Sequence, residues 1–121
     1  MNAYVNSLAG GKAVRSSARI EAFIRATDFD RPTLVLDTEL VAQQFRALKA
    51  GLGRADIHYA VKANPERAVI ETLVAECSHF DAASRGEIEL CLGLGARPET
   101  ISFGNTIKKP VDIAFAYGAG I

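Results

Sequence analysis

Tryptophan is absent from the 121 residues, methionine occurs once, cysteine twice and proline four times. Two cysteines cannot supply the several bridges that a disulfide-held scaffold needs, so the chain must fold around a core. Charge of one sign is also lacking: 14 Lys plus Arg face 14 Asp plus Glu. A strongly basic nucleic-acid binder and an acidic disordered tail both need a lopsided field, and both are excluded. No apolar run approaches the roughly 18 residues of a membrane span, which excludes an integral membrane role. What is present is a globular composition, 49% hydrophobic and 23% charged, at the length of one domain. The expectation is a soluble, cytoplasmic α/β protein with no nucleic-acid or membrane partner.

Residues 1–31 read as an N-terminal extension. Over residues 1–27, Lys12, Arg15, Arg19 and Arg25 stand against one acid, Glu21. A basic, Ser-containing, amphipathic start resembles an organelle transit peptide. The favoured reading is a docking helix with Ser16 or Ser17 as N-cap and Ile20, Phe23 and Ile24 on one face. No continuous apolar core with a small-residue cleavage site follows, so a secretory signal is not indicated. Gly10-Gly11-Lys12 lacks the upstream glycine and the following Ser/Thr of a phosphate loop.

Strands and helices alternate after Pro32. Thr33–Asp37 is a short apolar, β-branched run that suits a strand. Thr38 can cap a helix with Val41, Phe45, Leu48 and Leu52 on one stripe, closing near Gly51 or Gly53. Ile57–Lys62 is the next strand. Asn64-Pro65 opens a helix with Asn as N-cap, and Val69, Ile70, Leu73, Val74 and Cys77 form its apolar stripe. Phe80–Ala83 is a third strand. Ser84-Arg85-Gly86-Glu87 has the S-x-x-E pattern of a capping box and starts a helix with Ile88, Cys91 and Leu92 inward, ended by Gly93 or Gly95. Ile101–Phe103 is a fourth strand, and Pro110 begins a helix through Ile113, Ala114 and Tyr117. This order with short connections predicts βα units on a parallel sheet.

Lys62 is the first candidate for chemistry. In an extended strand it shares a face with Ala60 and His58. Parallel α/β enzymes place reactive groups at such C-terminal strand ends, and a desolvated amine there can form a Schiff base. The competing reading is a lysine whose stem packs while its ammonium reaches solvent. Asp81 holds the equivalent place on the next strand, where it can stabilise a protonated amine or serve only as a strand-end turn residue. Glu87 is explained by the capping box alone. Lys108 and Lys109 read as a solvated loop pair. His58 and His79 lack metal-ligand spacing and read as core or strand-end residues; Cys77 and Cys91 read as small buried hydrophobes. Gly93-Leu94-Gly95 follows a helix, where a dinucleotide fingerprint would follow a strand, and no G-x-S-x-G, H-E-x-x-H or C-x-x-C occurs.

Three segments together resemble one family. Tyr59-Ala60-Val61-Lys62-Ala63-Asn64-Pro65 is similar to the YAVKAN segment of the alanine-racemase-like pyridoxal-phosphate decarboxylases. Phe80-Asp81-Ala82-Ala83-Ser84-Arg85-Gly86-Glu87 resembles the FD-x-AS-x-x-E segment that follows it. Ile101 to Pro110 closely resembles the ISFGNTIKK stretch of the bacterial ornithine/lysine decarboxylases, where diaminopimelate decarboxylases tend to carry a different glycine-rich sequence. The resemblance runs from about Pro32 to the C-terminus.

The resemblance implies that residues 32–121 are the N-terminal portion of a pyridoxal 5'-phosphate-binding (β/α)8 barrel, with the first three barrel strands at Ile57–Lys62, Phe80–Ala83 and Ile101–Phe103. Thr33–Asp37 would then precede the barrel and pair in a β-rich second domain. Lys62 would be the Schiff-base lysine, Asp81 and Glu87 would line the cofactor pocket, and Ala60 would leave room beneath the pyridine ring. The implied activity is decarboxylation of ornithine or a similar basic amino acid, in homodimers with active sites at the interface. The alternatives are a diaminopimelate decarboxylase and a non-catalytic homologue acting as a regulator. The glutamate on the pyridine nitrogen, the phosphate loop and the acid/base cysteine of the partner subunit are expected beyond Ile121, so the 121 residues alone are expected to be inactive.

Overall fold

The computed structural model describes residues 17–121. Lys12, Arg15, Ser16 and the Gly10-Gly11-Lys12 triplet lie outside the described residues. The chain divides into two compact units, Met1–Asp37 and Thr38–Ile121.

In the first unit, Ser17 is the N-cap of α1 (Ala18–Ala26), its hydroxyl accepting from the Ile20 N–H at 3.1 Å. This satisfies one of the donors a helix start leaves unpaired. The same hydroxyl donates to the Asp37 carboxylate at 3.1 Å, and Arg19 reaches that carboxylate at 3.4 Å. The expected face of α1 stays open, with Phe23 and Ile24 about half exposed. Residues 33–37 form no strand, contrary to expectation. β propensity becomes a strand only where a partner supplies the ladder, and none pairs with this segment among the described residues. Leu34 is 79% exposed.

The second unit is a three-stranded parallel sheet in the order β1 (His58–Ala60), β2 (His79–Ala82), β3 (Ile101–Phe103). The helices are α2 (Thr38–Leu52), α3 (Arg67–Ala75), α4 (Arg85–Gly93) and α5 (Pro110–Gly118). A helix joins each strand to the next, as parallel pairing requires. Phe80, Ala82 and Ile101 from the sheet pack with Val69, Ile70 and Leu73 of α3 and with Ile88 and Cys91 of α4 in one core.

The structure moves several boundaries. β1 stops at Ala60, and Val61–Ala63 turn into a 3₁₀ helix with Val61 fully buried. Lys62 therefore sits just past the strand and is not on it. β2 runs one residue earlier than expected at each end. Asn64 does not cap α3: its side chain accepts from the Glu66 N–H at 3.0 Å in a local turn, and the helix begins after Glu66. Such Asn side-chain bonds compete with helix initiation. On α2 the core takes Ala42 and Phe45, while Leu48 and Leu52 are half exposed. On α5 the inward residues are Phe115 and Ala116, with Ile113 and Tyr117 exposed. The segment PVDIAFAYG is apolar nearly all round, so its pattern names no face. The Arg85 guanidinium, 4.2 Å from the Phe115 ring centroid, anchors that side.

Helices α3, α4 and α5 end in the same motif. The second residue past the cap donates back to the third-last helical carbonyl: Ser78 to Leu73, Ala96 to Cys91 and Ile121 to Ala116. The residue before it must be left-handed. Gly95 and Gly120 fill that place with φ 92° and 87°, but in α3 it is Cys77, with φ 57°. Cys77 is exposed, not buried as expected, because this turn directs it away from the α3 stripe. Cys91 is buried as expected.

Candidate active site

Alternation along the strands sorts side chains between two faces. Phe80, Ala82 and Ile101 face the helices. Register places His58 beside His79, Ala60 beside Asp81, and Asp81 beside Ser102 on the other face. The two histidine rings meet edge to face, centroids 4.9 Å apart, at the N-terminal ends of β1 and β2. No group of three or more metal-binding side chains occurs among the described residues. Ala60 and Asp81 stand at the opposite, C-terminal end of the sheet, where parallel α/β folds build their sites.

Lys62 lies at that end, exposed, in the 3₁₀ turn after β1. The turn is tied at both sides. Tyr59 Oη donates to the Asn64 carbonyl at 3.2 Å, spanning the three turn residues, and the Asn64 side chain holds the Glu66 N–H. Burial pushes the Tyr59 phenol above its ordinary value. No ion pair joins Lys62 to Asp81 or Glu87 among the described residues.

Asp81 is half-buried. The Ser102 hydroxyl lies 3.4 Å from its Oδ1 and 3.3 Å from the Phe80 carbonyl. Glu87 closes the capping arrangement at the start of α4. Ser84 Oγ accepts from the Glu87 N–H at 3.3 Å, and Glu87 Oε2 accepts from the Ala83 N–H at 2.8 Å. The carboxylate thus reaches back over the end of β2, and sits on α4 one turn before Cys91. Burial and, secondarily, the Glu87 charge raise the Cys91 thiol from 9.0 to about 11. That thiol stays protonated and inert at neutral pH.

Of the residues expected from the sequence, Ala60 and Asp81 lie at the C-terminal ends of β1 and β2, Lys62 just past β1, and Glu87 in the first turn of α4. Tyr59 and Ser102, which the structure brings to the same surroundings, were not singled out from the sequence. Neither the place of Ser102 beside Asp81 nor the Tyr59 bond has a signal in spacing or composition. Lys108 departs from the expected solvated pair. Its amine bonds the Asn105 carbonyl and lies 5.1 Å from the Phe103 ring centroid, while Lys109 is exposed at the start of α5.

Residues 38–121 match the family model "pyridoxal-dependent decarboxylase, pyridoxal binding domain". The chain is 42% identical over 94 residues to a chloroplastic ornithine decarboxylase of Nicotiana glutinosa, which covers 78% of this chain and 22% of that protein. It superimposes on a lysine/ornithine decarboxylase of Vibrio vulnificus complexed with putrescine with a TM-score of 0.78 and 38% identity, over 86% of this chain and 29% of that one. A lysine decarboxylase of Selenomonas ruminantium gives a TM-score of 0.77 at 30% identity, over 92% of this chain and 30% of that one. The chain therefore spans under a third of the length of these relatives. Its parallel βα units form part of the (β/α)8 barrel of such enzymes, and pyridoxal phosphate is the cofactor that goes with the match. This chain belongs to the pyridoxal-binding domain family of the pyridoxal-dependent decarboxylases.

Proposed function

We propose that this chain is part of an enzyme that decarboxylates a small basic amino acid, with ornithine as substrate and putrescine and CO2 as products. The observation that carries this reading is an exposed amine on a tied turn just past β1, the strand whose last residue, Ala60, pairs with Asp81, within a match to the pyridoxal-binding family. The residues present fit the cofactor. Lys62 has a reachable primary amine for its aldehyde, Ala60 puts only a methyl group on the sheet face at the end of β1, and Asp81 and Glu87 bring carboxylates to that edge.

When bound, pyridoxal phosphate supplies an electron-deficient ring that accepts the electron pair of the bond broken at the substrate Cα. The chain's own residues hold and orient. Lys62 would hold the cofactor through its amine. Asp81 and Glu87 are acceptor groups at the pocket edge, Glu87 with one oxygen already committed to the Ala83 N–H. The small side chain of Ala60 keeps the sheet face open. A second copy of the protein as partner, a cytoplasmic location and a place in polyamine formation belong to the same reading.

The test is to supply ornithine, lysine and diaminopimelate, with pyridoxal phosphate, to the native polypeptide that carries these residues, measuring CO2 and diamine. Ornithine should give putrescine at the highest kcat/KM. CO2 from diaminopimelate alone, or from none of the three, contradicts the proposal.

A further inference from the structure

Gly104 is not in the left-handed region that usually requires glycine. What it uses is the absence of a Cβ. Its N–H donates to the Ala82 carbonyl at 2.8 Å, which draws the backbone after β3 across the end of β2. A Cβ placed at Gly104 would lie 1.9 Å from Asp81 Oδ1, 2.8 Å from Cγ and 3.0 Å from Oδ2. The whole carboxylate therefore occupies the space a side chain at 104 would take. The Ser102 hydroxyl meets the same Oδ1 from the neighbouring strand.

We infer that Gly104 and Ser102 together set the direction of the Asp81 carboxylate, making them positioning residues for the pocket. Gly104 leaves the room, and the Ser102 hydroxyl, shared between Asp81 Oδ1 at 3.4 Å and the Phe80 carbonyl at 3.3 Å, supplies a long hydrogen bond from the neighbouring strand. Asp81 is the movable partner, since the far end of a flexible side chain yields more easily than two backbone segments joined by a hydrogen bond. A methyl group at 104 turns the carboxylate away while leaving the backbone in place. The consequence for cofactor binding rests on the proposed function; the consequence for Asp81 itself does not.

Two readouts separate them. In the cofactor-free native protein, Gly104→Ala should move the carbon NMR resonance of the Asp81 carboxyl group, and Ser102→Ala should move it by less. In titrations with pyridoxal phosphate, Gly104→Ala should weaken binding about tenfold, the scale of a hydrogen bond to a charged group. The same substitution made on an Asp81→Ala background should have no further effect. An unmoved Asp81 resonance overturns the inference, as does an equal loss of affinity on the Asp81→Ala background. If the unsubstituted protein binds no pyridoxal phosphate, the functional proposal fails, and the resonance still decides the role of Gly104. Should Gly104→Ala not fold, Ser102→Ala removes only the hydrogen bond, and its unmoved resonance is equally decisive.

Discussion

Tyr59→Phe removes one hydroxyl and with it the tie across the turn that carries Lys62. The lost bond is 3.2 Å long and runs to the Asn64 carbonyl. A neutral intramolecular hydrogen bond contributes about 0.5–1.5 kcal/mol net. Asn64 is only half-buried, so water can replace the donor, and about 0.5–1 kcal/mol is the expected loss. The phenyl ring keeps its packing, so the loss falls on the turn. Expressed as affinity for pyridoxal phosphate, it amounts to about two- to fivefold. Visible absorbance during titration of the native protein measures this, with urea unfolding in parallel. There is also a pH signature. Burial raises the folded-state value of Tyr59 above the ordinary 10.0. The neutral phenol therefore contributes stability that is complete below 10.0 and is lost as pH rises through the raised value. Cys91, raised from 9.0 to about 11, loses stability in an overlapping window. The alkaline fall should shrink in Tyr59→Phe, and shrink further when Cys91→Ala is added. Unchanged affinity together with an unchanged alkaline profile in Tyr59→Phe would refute this role for the tie.

Cys77→Gly should stabilise the protein by about 0.5–1 kcal/mol, because the left-handed penalty of about 1–2 kcal/mol is relieved and part is returned as unfolded-chain entropy. A lower urea midpoint in the variant would contradict this. Ser84→Ala should cost about 1 kcal/mol by removing the N-cap of α4, read as a lower urea midpoint at constant slope; no change would mean that Glu87 caps the helix alone. The 121 residues by themselves should release no CO2 from ornithine, since β1 and β3 each leave an edge without a partner among the described residues and a (β/α)8 barrel closes only with all its strands. Measurable turnover by this stretch would overturn that expectation.

The βα order, the parallel sheet and the helix starts at Ser17, Ser84 and Pro110 were legible because each has a local chemical cause: a capping hydroxyl or a proline at the first turn. The core was legible where polar and apolar positions contrast, as at Val69, Ile70 and Leu73. It was not legible on α5, whose sequence is apolar on every side, nor at residues 33–37, where only a partner could have made a strand. The end of β1 was missed for a different reason. Val61 is as β-prone as its neighbours, and the bond that spans the turn runs from the Tyr59 side chain to a backbone carbonyl five residues on, a contact with no local sequence signal. The site followed the same division. Lys62, Asp81 and Glu87 were proposed from motifs, whereas the neighbourhood of Asp81, Ser102 and Gly104 exists only through the folded register.

The central claim is that Lys62 carries the cofactor, and borohydride reduction tests it most directly. The native protein is incubated with pyridoxal phosphate, reduced, digested and analysed by mass spectrometry. A pyridoxyl label on Lys62, absent from the Lys62→Ala protein, is the predicted result. A label spread over surface lysines, or one that persists in Lys62→Ala at another single lysine such as Lys108, would contradict it.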